Sequence, residues 1–121
     1  MRSLAALAAL ALTACATAPA HLTAAKAAVD GRLEYVYYKG WVKPAGLAKN
    51  QGNCTVFSAS YMLEVRSTGH QAPMPTVCQV PGGEWHAVLD VDGWRLDNRE
   101  ATVLPIWASD CTNNKKAFRY E

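Results

Sequence analysis

The sequence is poor in charge: 18% of its 121 residues are charged, and 12 basic residues stand among 10 acidic ones for a formal net charge of +2. It has no lysine run and no basic stripe, the electrostatic footprint that nucleic acid requires, so nucleic acid is set aside as a partner. It lacks the stretch of about 20 apolar residues that a membrane-spanning helix needs. It also lacks the Cys-x-x-Cys and His-x-x-x-His spacings of zinc sites, and neither a metal nor another cofactor is expected. No internal repeat marks a solenoid and nothing marks a second domain. Half the residues are apolar, which excludes a disordered tail and leaves one small folded unit. Against these absences stand four cysteines, Cys15, Cys54, Cys78 and Cys111, each of which needs a use.

Residues 1–14 place one arginine before an unbroken apolar run from Leu4 to Leu12, the length of a signal-peptide core. The run closes on Leu12-Thr13-Ala14-Cys15, which resembles the lipobox of bacterial lipoproteins. That resemblance implies that Cys15 becomes the acylated first residue of the mature chain, anchored by its acyl chains. An ordinary signal peptide cut at Ala18 or Ala20, with Cys15 discarded, is the other reading. Both put the domain outside the cytoplasm, where disulfides persist. The expected organisation is an export signal at 1–14, a lipidated N-terminus and tether at 15–22, and a folded domain at 23–121. Its expected place is the cell envelope, lipid-anchored to a bacterial membrane and facing the periplasm or exterior.

The rest of the chain reads as α+β. Ala28, Val29, Leu33, Val36 and Tyr37 recur at helical spacing, with Thr23 as N-cap and Gly40 as stop. A loop over Trp41–Asn50 leads to a second helix from about Cys54 to Ser67, closed by Gly69. Strands are expected at Thr76–Val80, Glu84–Val91 and Trp94–Asn98, separated by Pro81-Gly82-Gly83 and Asp92-Gly93, with a fourth at Lys116–Tyr120. If Asp92-Gly93 is a two-residue hairpin loop, Val91 pairs with Trp94, and His86 and Asp97 become diagonal neighbours on one face, about 7 Å apart at the backbone. The face carrying Trp85, Ala87, Leu89, Val91, Trp94 and Leu96 is the more apolar one, yet a helix bringing a reactive group to His86 is expected on the other.

A carboxylate beside an imidazole fixes the ring's tautomer and stabilises its charged form. Cys54 follows Gln51-Gly52-Asn53 at the start of the second helix. There the helix dipole and the unpaired N–H groups favour a thiolate and could hold an oxyanion. A buried structural cysteine is the alternative use of that position. Cysteine at a helix start, then histidine on a strand, then aspartate on the next strand is the chain order of papain-like and transglutaminase-like triads.

The segments Trp41-Val42-Lys43-Pro44, Gly52-Asn53-Cys54, His86-Ala87-Val88-Leu89 and Leu96-Asp97-Asn98 together resemble the bacterial transglutaminase-like cysteine peptidases, over roughly residues 28–107. Gly-Asn-Cys-Thr-Val-Phe is also similar to the nucleophile segment of true transglutaminases. The resemblance implies a papain/transglutaminase-like fold and a catalytic triad of Cys54 as nucleophile, His86 as general base and then acid, and Asp97 as its orienting partner. The substrate implied is a protein or peptide. The alternatives are transglutaminase or deamidase chemistry on glutamine side chains, and a catalytically silent envelope binding module. The backbone N–H of Cys54 is the expected oxyanion donor, with the side chain of Gln51 as a weaker candidate. Trp41 and Trp85 either wall a substrate groove or belong to the core. Adhesin-cleaving members carry calcium-binding acidic residues beside the nucleophile, where this chain has Asn53 and Thr55, so calcium dependence is not expected. With Cys15 acylated and Cys54 kept as a thiol, Cys78 and Cys111 remain as a disulfide pair. His21 and His70 fall in loop-like segments and are expected in solvent.

Overall fold

The computed structural model describes residues 17–116. The expected export signal, the Cys15 lipidation site and residues 117–120 of the expected last strand lie outside them. The described chain is α+β, with two N-terminal helices packed on a five-strand antiparallel sheet.

Helix α1 runs Ala20–Arg32. It begins inside the stretch read as tether, and Thr23 lies within it rather than capping it. The reason is local. Pro19 sits at the N-cap, and its carbonyl accepts from the N–H groups of Leu22 and Thr23. Leu22, Ala25, Lys26 and Val29, at i, i+3, i+4 and i+7, are the buried residues, the spacing of one helical face. The helix stops at Arg32, well short of Gly40, because Leu33 turns extended. The Glu-Tyr-Val-Tyr-Tyr run that follows favours strand. Strand β1 (Glu34–Tyr35) pairs in parallel with β2 (Gln51–Gly52), so Val36 and Tyr37 do not belong to a helix.

Helix α2 runs Cys54–Ser67, where the sequence places it, with Gly69 at positive φ just past its end. Phe57, Tyr61, Met62 and Val65 form one core with Leu22 and Val29 of α1 and with Leu89, Val91 and Leu96 of the sheet. Arg32 and Glu64 tie the two helices at the surface.

Strands β3 (Thr76–Gln79), β4 (Trp85–Val91), β5 (Trp94–Leu96), β6 (Leu104–Pro105) and β7 (Thr112–Lys116) follow in the spatial order β6-β5-β4-β3-β7. The Asp92-Gly93 loop closes as expected: both residues have positive φ, and Val91, Asp90 and Leu89 pair with Trp94, Arg95 and Leu96. Positive φ at both positions is the type I′ geometry that matches strand twist. Strand β7 meets the expected terminal strand at Lys116, the last described residue, and β6 is short enough to escape periodicity.

The two sheet faces are covered differently from expectation. Helix α2 packs on the apolar face, against Leu89, Val91 and Leu96. The opposite face is covered by the C-terminal segment. Cys78, bonded to Cys111 with Cα atoms 5.4 Å apart, clusters there with Val88. Arg95, only 1% exposed, locks this segment down. Its guanidinium donates from Nε and one terminal nitrogen to the two oxygens of Asp90, and from the other to Ser109 Oγ and the Cys111 carbonyl.

Candidate active site

The start of α2 is built by Asn53. Its Oδ1 accepts from the N–H of Thr55 (3.0 Å), from Thr55 Oγ1 (2.6 Å) and from the N–H of Val56 (3.4 Å), capping the helix. Its Nδ2 donates to the carbonyls of Tyr38 (2.8 Å) and Gly40 (2.9 Å), stitching the loop after β1 to the helix end. The position therefore calls for an amide, because a carboxylate could make the first set of bonds and not the second. Gly52 precedes it and is buried. A Cβ there would lie 2.4 Å from Val56 Cβ, so only glycine lets β2 run this close to α2.

Cys54 is the described cysteine that lies outside the disulfide, buried at 8% exposure. Its sulfur accepts from the backbone N–H of Ala87 at 3.4 Å. Strand alternation explains this contact. Around a two-residue hairpin Val91 and Leu89 point their N–H groups at β5, and Ala87 shares their parity. Strand β5 ends at Leu96, so nothing of it reaches Ala87, and Cys54 fills the gap. The helix end thus meets β4 at its edge while the rest of α2 covers the apolar face. That edge-on approach lets a histidine on the other face reach the thiol.

His86 Nε2 lies 2.7 Å from Asp97 Oδ1, and the pair is almost completely buried. With Nε2 donating to the carboxylate, the other ring nitrogen is left for Cys54, whose side chain hydrogen-bonds the ring. Burial alone draws the His86 pKa down. The hydrogen bonds the ring makes to Asp97 and Cys54, and the charges of both, outweigh it and hold the ring protonated up to about 9. Burial likewise pushes the Asp97 carboxyl up, but the His86 hydrogen bond and charge and the N–H and guanidinium of Arg99 bring it below its usual range. The effect is reciprocal: the thiolate that helps hold the proton on His86 is itself stabilised by the imidazolium.

Asp97 is fixed from two further sides. The Arg99 N–H donates to Oδ1 at 2.9 Å and its guanidinium to Oδ2 at 3.3 Å. On the α1 side Lys26, 2% exposed, donates to the Asp97 carbonyl (2.9 Å), to Asp30 Oδ2 (2.7 Å) and toward Tyr61 Oη (3.3 Å). Tyr61 donates in turn to Asp30 Oδ1. A lysine among alanines carries no sequence signal for this role beyond its place on the buried i, i+4 stripe.

The thiol and the imidazole open into a pocket of about 220 Å³, walled by Tyr35, Tyr37, Tyr38, Val80 and Trp85, with Glu84 and Arg99 among its lining. Larger hollows, of about 520 Å³ beside Arg66 and Asp92 and about 360 Å³ beside α1, hold no thiol. Trp85 and Trp41 both pack against the cluster of Cys54, Val77 and Ala87, and Trp85 also walls the pocket. Gln51 is not brought to the pocket. Its Oε1 accepts from the Ala48 N–H and its Nε2 donates toward Glu34, away from the pocket lining. His21 and His70 stack at 3.7 Å between ring centroids, with His21 on α1 rather than in a loop.

Among the described residues no group of three His, Cys, Asp or Glu side chains could hold a metal ion, and no helix is long and apolar enough to cross a membrane. The arrangement can generate a thiolate, deliver a proton from His86 to a leaving group, and keep the ring oriented through Asp97. Set against known proteins, the chain matches no family model, no curated protein and no solved structure.

Proposed function

We propose that the chain is an exported, membrane-anchored thiol hydrolase that cleaves peptide or amide bonds through Cys54, His86 and Asp97, on a papain/transglutaminase-like plan. The observation that carries this reading is the junction of the α2 start with the β4 edge. There one sulfur meets a helix N-terminus, a strand N–H and an imidazole held 2.7 Å from a buried carboxylate. A structural cysteine needs none of these, and an open pocket beside it serves no packing purpose.

In the first half-reaction the Cys54 thiolate adds to the carbonyl carbon, and the imidazolium of His86 gives its proton to the leaving amine as the C–N bond breaks. A thioester remains. In the second half, neutral His86 takes a proton from water, the hydroxide oxygen adds to the thioester carbon, and the carboxylic acid leaves as the thiolate is restored. The oxyanion donor in this reading is the backbone N–H of Cys54, since the N–H groups of Thr55 and Val56 are taken by Asn53 Oδ1. An amine in place of water turns the same intermediate to transamidation.

The test is digestion of a peptide mixture by the full chain, read by mass spectrometry. Cleavage that disappears in Cys54→Ala and falls at least about a hundredfold in His86→Ala supports the proposal. Cleavage indifferent to either change overturns it. For the anchor, Cys15→Ala is expected to release the protein from the membrane fraction, and continued tight association would contradict acylation.

A further inference from the structure

The pocket over Cys54 has a composition that the acyl-transfer chemistry does not need. Tyr35 and Tyr37 are 50% and 56% exposed, large aromatic rings left in water beside the sulfur. With Tyr38 and Trp85 they bring four aromatic rings to the pocket, and the Trp85 ring already has Lys115 Nζ over it at 4.4 Å. The ring faces are electron-rich and attract a cation by about 0.5–1 kcal/mol at an exposed site.

The charges point the same way. Arg99 lines the pocket, but its guanidinium is already met by Asp97 Oδ2 and by both oxygens of Asp110, at 3.0 and 3.1 Å. It is poorly placed to receive a third carboxylate. Glu84 is exposed, and its carboxylate accepts from Tyr37 Oη at 2.9 Å, with no cation at ion-pair distance among the described residues. Lys39 shares a neighbouring hollow with Glu84 without forming an ion pair. The pocket therefore offers one oriented, uncompensated carboxylate among aromatic rings. Its volume of about 220 Å³ suits one long side chain and not a bulky ligand.

We infer that this pocket selects a peptide whose residue next to the attacked carbonyl carries a positively charged side chain, with Glu84 receiving the charge and Tyr35 and Tyr37 the methylene stem. The inference rests on the proposed acyl-transfer reading and adds its substrate class. A positive side chain would lay its apolar stem on the rings and keep its ammonium at the wet rim. An acidic side chain would meet Glu84 across the same rings.

The test uses the full chain carrying Cys15→Ala and three acetyl-glycyl acyloxymethyl ketones that differ only in the residue adjoining the ketone: lysine, norleucine or glutamate. The rate of labelling at Cys54 is read by mass spectrometry, and Glu84→Gln and His86→Ala are run alongside. The lysine ketone should react about fivefold faster than norleucine, the worth of one exposed ion pair with a cation–π contact. Glutamate should be slowest. In Glu84→Gln the ratio of lysine to norleucine should fall toward one. Labelling that needs His86 but gives the same ratio in both proteins, or that favours glutamate, overturns the selectivity and leaves the acyl-transfer reading standing. No labelling by any of the three overturns both.

Discussion

Replacing Asn53 by aspartate changes one atom and separates the two jobs of this side chain. The caps to Thr55 and Val56 survive, because a carboxylate oxygen accepts as well as an amide oxygen. A negative charge at the helix N-terminus even adds about 0.3–1 kcal/mol. The donations to the Tyr38 and Gly40 carbonyls, at 2.8 and 2.9 Å, are lost. Two hydrogen bonds at about 1 kcal/mol each go, and a buried oxygen is left facing two others, a further cost of about 1–3 kcal/mol. Asn53 is 1% exposed, so water cannot replace the lost donors. The net expectation for Asn53→Asp is destabilisation by about 2–4 kcal/mol at pH 7, or roughly 10–25 °C in Tm for a domain of this size. The sign with pH follows. The introduced carboxyl has its pKa raised in the folded state, so the penalty is present above the unfolded pKa and shrinks as acid restores a donating proton. Thermal unfolding of wild type and Asn53→Asp at pH 7 and pH 4.5 reads both effects. An Asn53→Asp protein as stable as wild type at pH 7 would refute the assignment of the amide nitrogen to those carbonyls.

Gly52→Ala is expected to shift the α2 start away from β2, since the added carbon would meet Val56 at 2.4 Å; the check is a Cys54 alkylation rate that drops at least severalfold while circular dichroism stays native. Reducing the Cys78–Cys111 bond, which closes a span of 33 residues, should cost about 3–4 kcal/mol by loop entropy, seen as a lower urea midpoint; an unchanged midpoint would contradict it. Lys26→Met strands the Asp97 carbonyl and the Asp30–Tyr61 pair, and about 2–4 kcal/mol of stability should go. If Lys26 also positions Asp97, the pH profile of Cys54 reactivity moves with it. His86 keeps its proton to about 9 against about 6.5 for an unfolded histidine. Its pairing therefore adds stability that is complete below pH 6.5 and is lost as pH rises through 9. Wild type should lose more stability than His86→Ala between pH 7 and 9.5.

What could be read from the sequence was whatever a short pattern decides. Asp92-Gly93 sets the hairpin register, and the register puts His86 and Asp97 on one face. The apolar spacing from Cys54 and the glycine at 69 bound α2. The illegible parts depended on distant contacts. Strand β1 exists because β2 lies 17 residues away to pair with it, which no periodicity near Tyr35 announces. Lys26 is buried because Asp97, 71 residues on, presents a carbonyl to it. The tyrosines at 35, 37 and 38 read as part of the first helix, and only the fold turns them into a pocket wall. The expectation that α2 must cover the polar face failed because it assumed face-on packing; the thiol meets β4 at its open edge instead.

The central claim is that Cys54 and His86 share a proton in a working pair. The pH dependence of Cys54 alkylation by iodoacetamide tests it most directly, measured on the full chain with Cys15→Ala and on the same protein with His86→Ala added. The expected result is a thiolate formed well below the value of about 8.5 for a free thiol, and a profile that moves up toward that value when His86 is removed. A thiol that titrates near 8.5 in both proteins would contradict it.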